Sequence, residues 1–152
     1  MTSAGIYIPS TNGSGLPAEI SYHIQKNSTV FQAETFAVEQ AAKLQTENGT
    51  KSKTIIINCD SQAAIKASNN TTIKSKTTQN ARNNELHKLG QDDHVLLRWI
   101  PAHKGYLGIE KADELANKGS ENNKARSVNQ PVPRTERKNA LWQRTHRKMR
   151  AR

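Results

Sequence analysis

The stretch Thr54-Ile55-Ile56-Ile57-Asn58-Cys59-Asp60-Ser61 constrains the fold more than any other part of the chain. Its β-branched run lies between Lys51-Ser52-Lys53 and a helix-starting Asp-Ser, which predicts a short strand covered on both faces. A carboxylate, Asp60, stands where that strand ends. In open α/β sheets ligands bind in the crevice beyond the carboxyl ends of parallel strands, so Asp60 is expected at the mouth of a site. Asp before Ser-Gln-Ala-Ala-Ile is equally suited to cap the next helix, its side chain accepting from orphan backbone N–H groups. Taken alone it reads as a cap before it reads as a catalyst.

The rest of the chain supplies partners for that strand. Gly5-Ile6-Tyr7-Ile8 is extended, Pro9 to Pro17 with Asn12-Gly13-Ser14-Gly15 is a turn region, and Ile20, Tyr22 and Ile24 alternate with Ser21, His23 and Gln25. Residues 5–25 therefore predict a hairpin with one buried face, His23 lying on the polar one. Ser28-Thr29 can cap a helix running to about Glu47, with Asn48-Gly49 as its stop. Ala37, Val38, Ala41 and Ala42 form its apolar stripe, and Glu34, one turn back, interrupts that stripe with a carboxylate. The macrodipole favours an acid near a helix start by ~0.3–1 kcal/mol, which accounts for its place along the helix but not for its place on the buried face.

After the Asp60 strand the pattern predicts a short helix over 62–68, an Asn/Thr/Lys-rich loop over 69–76, and a helix carrying Ala81, Leu86 and Leu89 that ends at Gly90. The strand Val95-Leu96-Leu97-Arg98-Trp99-Ile100, stopped by Pro101, follows. Strand, helix, strand at this spacing is a βαβ-like unit, so the two strands should be parallel. A loop, Pro101-Ala102-His103-Lys104-Gly105-Tyr106-Leu107-Gly108, then leads into a helix over 109–117, stopping at Lys118-Gly119, with Asp113 bordering its apolar face.

Charge separates the chain into two parts. Residues 120–152 hold ten Lys/Arg against two acids, a net +8 of the +10 total, leaving +2 for residues 1–119. With 34% hydrophobic residues and a mean hydropathy of −0.83, the core is expected within 1–119. Residues 120–152 then read as a basic linker and tail, Pro131-Val132-Pro133 followed by a helix over 135–150 with Leu141, Trp142 and Met149. Such a tail suits nucleic acid, and a merely solvated extension explains its charge as well. The single cysteine, Cys59, excludes a disulfide framework and a Cys-based zinc site. No signal peptide or membrane-length apolar run is present, so a reducing compartment, cytoplasm or nucleus, is expected.

Glu34 on a packed helix, Asp60 at a strand end, and Asp113 ten residues after His103 complete the pattern. With the phrases Phe31-Gln32-Ala33-Glu34, Cys59-Asp60-Ser61-Gln62-Ala63, Trp99-Ile100-Pro101-Ala102-His103-Lys104-Gly105 and Ala112-Asp113-Glu114-Leu115-Ala116, the chain resembles a type 1 ribonuclease H domain of the kind carried by non-LTR retrotransposon reverse transcriptases. The resemblance covers roughly residues 4–119. It implies a mixed α/β sheet with helices on both faces and a metal-dependent endonuclease that hydrolyses the RNA strand of RNA–DNA hybrids. Two Mg²⁺ ions ~3.5–4 Å apart, with Mn²⁺ as a substitute, would generate the nucleophile and steady the leaving oxygen. Hard cations take oxygen ligands, which is why carboxylates from different elements make the cage. By resemblance Glu34, Asp60 and Asp113 are catalytic metal ligands, His103 is the catalytic mobile-loop histidine, and Gln62 and Ser61 contact the hybrid. Recognition would rest on shape, 2′-hydroxyls and phosphates. The basic tail would bind nucleic acid or pack on an upstream reverse transcriptase.

Two departures from the family pattern stand out. The Asp-Gly-Ser phrase of the opening strand, which holds the first acid and lies between the hairpin and the Asp60 strand, has no counterpart here; an N-terminally truncated domain is expected. Ile109 stands where the family usually has Asn. Two other readings follow from the first departure: a non-catalytic nucleic-acid-binding remnant, and an open reading frame whose sheet cannot close.

Overall fold

The computed structural model describes residues 2–10, 17–25, 28–47, 52–69, 85–121 and 126–128. The expected loop over 70–76, the part of the expected helix around Ala81, the Pro131-Val132-Pro133 linker and the basic helix over 135–150 lie outside the described residues. Strands β1 (Thr2–Ile8) and β2 (Ala18–Ile24) pair antiparallel, Thr2 opposite Ile24 and Ile8 opposite Ala18. This is the expected hairpin. Helix α1 (Val30–Glu47) follows, then β3 (Thr54–Cys59), α2 (Gln62–Asn69), α3 (His87–Asp92), β4 (His94–Trp99), α4 (Leu107–Glu121) and β5 (Arg126–Val128). β3 and β4 are parallel, in register from Thr54 opposite His94 to Cys59 opposite Trp99, as the βαβ spacing predicts.

The strands form two sheets rather than one: β1-β2-β5, which is mixed because β5 runs parallel to β2, and β3-β4. Thus residues 126–128, read from the sequence as linker, add a strand to the hairpin. Helix α1 ties the two sheets together because its apolar stripe is long enough to serve both. Its first half contributes Ala33 and Phe36 to a core with Ala4, Ile6, Tyr22 and Ile24. Its second half contributes Ala42 to a core with Ile57 and Leu89. Tyr22 and Phe36 meet edge to face, ring centroids 5.0 Å apart at 86°, an arrangement worth ~0.5–1.5 kcal/mol beyond its buried area.

The start of α1 is set by a reciprocal cap. Thr29 Oγ1 accepts from Gln32 N–H at 3.2 Å while Gln32 Oε1 accepts from Thr29 N–H at 3.0 Å. The Thr-x-x-Gln spacing is a capping box, and it satisfies two donors that the helix would otherwise leave bare.

The other face of the hairpin is covered by α4, not by water. Ser21 Oγ donates to Leu115 O at 2.7 Å, and His23 Nδ1 lies 3.3 Å from Gly119 O. Small residues permit this approach. A methyl on Gly5 would overlap the Ala112 carbonyl oxygen, and one on Gly119 would lie 2.7 Å from Tyr22 O. Gly119, expected to stop the helix, is instead buried inside α4, which runs on to Glu121. Likewise α3 passes through Gly90 to Asp92, where Asp93 N–H closes on Leu89 O at 3.0 Å. Glycine ends a helix only where the chain needs a left-handed residue; at neither position does it.

A second difference concerns the Asp60 strand. Expected to be covered on both faces, it is covered on one: Ile55, Ile57 and Cys59 face the helices, whereas Ile56 and its cross-strand partner Leu96 are each 43% exposed. The reason is tertiary, because α4 lies over β1 and β2 and, among the described residues, no helix covers the outer face of β3-β4. Among the described residues no helix is long and apolar enough to cross a membrane.

Candidate functional site

Between the two sheets runs a groove of about 960 Å³, walled by β1 and β3, with α1 on one face and α4 on the other. Glu34, Asp60 and Asp113 all line it. Three elements bring them there. Glu34 rides on α1 one turn from its start, half-buried among Ala33, Ala37 and Val38. Asp60 sits where β3 ends, and Asp113 lies on the exposed flank of α4 beside Ala112.

Asp60 is not the helix cap that its sequence context allows. That task falls to Ser61, 8% exposed, whose Oγ accepts from Ala64 N–H at 3.1 Å. Asp60 is therefore left exposed, and its backbone oxygen accepts from Trp99 Nε1 at 3.1 Å. Ser61 is spent on the helix start, while Gln62, the first residue of α2, is exposed, and neither residue lines the groove.

Cys59 connects the two nearer acids. Its thiol accepts from Ser61 N–H at 3.4 Å, and burial pushes its pKa up to about 11, with the Asp60 and Glu34 carboxylates adding to the rise. A thiol so disposed is a packing group rather than a nucleophile.

His103 does not line the groove. It stands exposed on the loop between β4 and α4 with φ 55°, and Gly105 follows at φ 80°. Left-handed backbone at a non-glycine residue costs ~1–3 kcal/mol, so the surrounding contacts must hold it. One of them is visible: Gly105 N–H donates to Glu110 Oε1 at 3.1 Å, tying the loop to the first turn of α4. Ile109 takes part in the groove wall instead.

Sequence reasoning passed over Arg98, Trp99 and Tyr106, which share the groove with the carboxylates. Arg98 Nε donates to Asn58 Oδ1 at 2.9 Å across the β3-β4 register. Trp99 and Tyr106 are 46% and 49% exposed. The available signal was the parallel pairing itself, since whatever lies opposite Asn58 and Cys59 must lie beside Asp60.

The family description RNase H matches residues 2–121. The chain belongs to the RNase H family. No curated protein matches it. Family members of this kind use divalent metal ions, and the donor chemistry of Glu34, Asp60 and Asp113, all oxygen, suits a hard cation. The spacing does not. Among the described residues no group of three or more His, Cys, Asp or Glu side chains is close enough to hold a metal ion. Glu34, Asp60 and Asp113 line one groove without closing into a cage.

Proposed function

We propose that this RNase H chain acts on RNA–DNA hybrids as a ribonuclease of the type associated with retrotransposon reverse transcriptases, with Glu34, Asp60 and Asp113 as its acidic groups. The observation that carries the reading is their convergence, from three separate elements, on one groove within the matched region. In this reading Mg²⁺ or Mn²⁺ is required, because an uncompensated set of carboxylates repels a phosphate backbone. Ser61 fixes the start of α2 and so positions Gln62 toward the hybrid, and His103 moves protons or product from its exposed loop.

The absence of a three-group cage among the described residues favours a second reading, a chain that binds nucleic acid without cutting it. The ten basic residues in 120–152 would supply the affinity. Each neutralised phosphate then steepens the logarithmic salt dependence of binding by about 0.9.

One assay separates these readings: cleavage of an end-labelled RNA–DNA hybrid with Mg²⁺ and then Mn²⁺, using the chain, its Asp60→Asn variant and a version extended upstream by an Asp-Gly-Ser strand. Cutting that is lost on Asp60→Asn supports the ribonuclease reading with the acids as assigned. Salt-sensitive binding with no cutting by any version supports the second reading. Cutting by the chain that survives Asp60→Asn refutes the assignment of the acids.

A further inference from the structure

The face of β3-β4 turned away from α1 changes character toward the end that carries Asp60. Ile57, Val95 and Leu97 pack with Ala42 and Leu89 on the α1 side, and successive side chains of a strand point to opposite sides. Ile56, Asn58, Leu96 and Arg98 therefore share the other face, and all four are exposed. The apolar pair Ile56 and Leu96 is followed by the polar pair Asn58 and Arg98. Asp60 comes two residues after Asn58, about 7 Å farther along at a rise of ~3.3 Å per residue.

Arg98 is held in place there. The parallel register sets it opposite Asn58, and its Nε donates to Asn58 Oδ1 at 2.9 Å. A guanidinium carries five N–H donors in a planar fork, and one bond at Nε leaves the two terminal nitrogens for another acceptor. No carboxylate pairs with Arg98 among the described residues. The bond to Asn58 also restricts a long side chain that would otherwise lose its rotamer freedom on binding, so the cost of engaging a ligand falls.

Electrostatics select the ligand. Glu34, Asp60 and Asp113 line the groove, and among the described residues Arg98 is the one cation that does so. A small free anion would meet three carboxylates for one guanidinium. A phosphodiester strand differs because its charges are spaced along a chain. One phosphate can sit at Arg98 while the strand runs along the exposed face toward Asp60. Bidentate pairing of a guanidinium with phosphate fixes orientation as well as supplying charge.

We propose that Arg98 is a nucleic-acid-binding residue of this groove. Its guanidinium, positioned by Asn58, holds a backbone phosphate of the strand that passes Asp60. The proposal rests on the reading of the groove as a nucleic-acid site and deepens it, but it asks nothing of hydrolysis. A chain that binds without cutting uses Arg98 in the same way, so failure of the ribonuclease reading leaves it standing.

The test is binding of a fluorescently labelled RNA–DNA hybrid to the full chain over a series of KCl concentrations without divalent ions. Losing one phosphate contact lowers the slope of log affinity against log salt by about 0.9, which is a loss of about 8-fold at 0.1 M salt that vanishes toward 1 M. Arg98→Gln is expected to show this loss. Lys88→Gln, which removes an exposed cation of α3 outside the groove, is expected to keep the parental slope. An unchanged slope in Arg98→Gln, or an equal loss in both variants, overturns the proposal. Arg98→Lys keeps the charge and should restore the slope; a slope that stays low would mark a packing effect and also overturn it. Asn58→Ala should weaken binding alone but add nothing to Arg98→Gln, because it acts through the guanidinium, and additive losses would refute the positioning role.

Discussion

Replacing Gly5 by alanine tests whether the close seat of α4 on β1 organises the domain. The added methyl would overlap the Ala112 carbonyl oxygen and lie 2.6 Å from Ala116 N and 2.9 Å from Leu115 Cβ. Against an optimal separation of ~3.5 Å, these last two contacts are short by about 0.6–0.9 Å. Two of the three obstructing atoms are helix backbone, which cannot rotate away, so α4 must retreat by about 1 Å. Overpacking of this kind costs ~1–3 kcal/mol, and rigid obstruction places this case at the upper end. Alanine's smaller unfolded-state entropy returns ~0.4–1 kcal/mol. A net loss of about 2–2.5 kcal/mol is expected, read in urea unfolding as a midpoint lower by about 0.7–2.5 M for a slope of ~1–3 kcal/mol/M. Gly90 is the internal control. It lies in α3 with nothing within 4 Å of an added Cβ, so Gly90→Ala should stabilise by up to ~1 kcal/mol. If Gly5→Ala matched the parent while Gly90→Ala behaved as stated, the close-packing argument for α4 would be wrong.

Other substitutions separate structural from chemical roles. Ser61→Ala removes the cap on α2 and should cost ~1 kcal/mol, whereas Asp60→Asn should stay within ~0.5 kcal/mol of the parent in the same urea assay; the reverse order would return the cap to Asp60. With its pKa raised from the ordinary 9.0 to about 11, native Cys59 should react with a disulfide reagent at pH 8 about 100-fold more slowly than the urea-unfolded chain, and equal rates would contradict the burial. Burial, reinforced by the Glu85 carboxylate, raises the pKa of Glu39 above its ordinary 4.5. The folded state then holds this proton more tightly, so the contribution is present below pH 4.5 and is lost as pH rises through the raised value. Glu39→Gln should therefore gain on the parent as pH increases from about 4 to 7, and a pH-independent difference would refute the cause.

The elements were legible because short-range chemistry sets them. Alternation at Ile20, Tyr22 and Ile24, the β-branched run before Asp60, and the stripe from Ala37 to Ala42 each announce a strand or helix through backbone preference and one-sided burial. The order of the four motif phrases likewise pointed to the family that matches residues 2–121. Boundaries were less legible where glycine was read as a stop. At Gly119 the absence of a Cβ permits a close contact with Tyr22, nearly a hundred residues away in sequence, and no local rule carries that information.

What the sequence determined by itself was the inventory: a hairpin, a parallel βαβ unit, and three acids on separate elements. The tertiary structure decided how these relate. It gave the cap to Ser61 and left Asp60 exposed, placed α4 over the hairpin rather than over β3-β4, and added β5 beside β2. It set β1 and β3 on opposite walls of a groove lined by Glu34, Asp60 and Asp113. Side-chain period and propensity act over a few residues, whereas which edges pair and which helix covers which face depend on steric fit between distant segments.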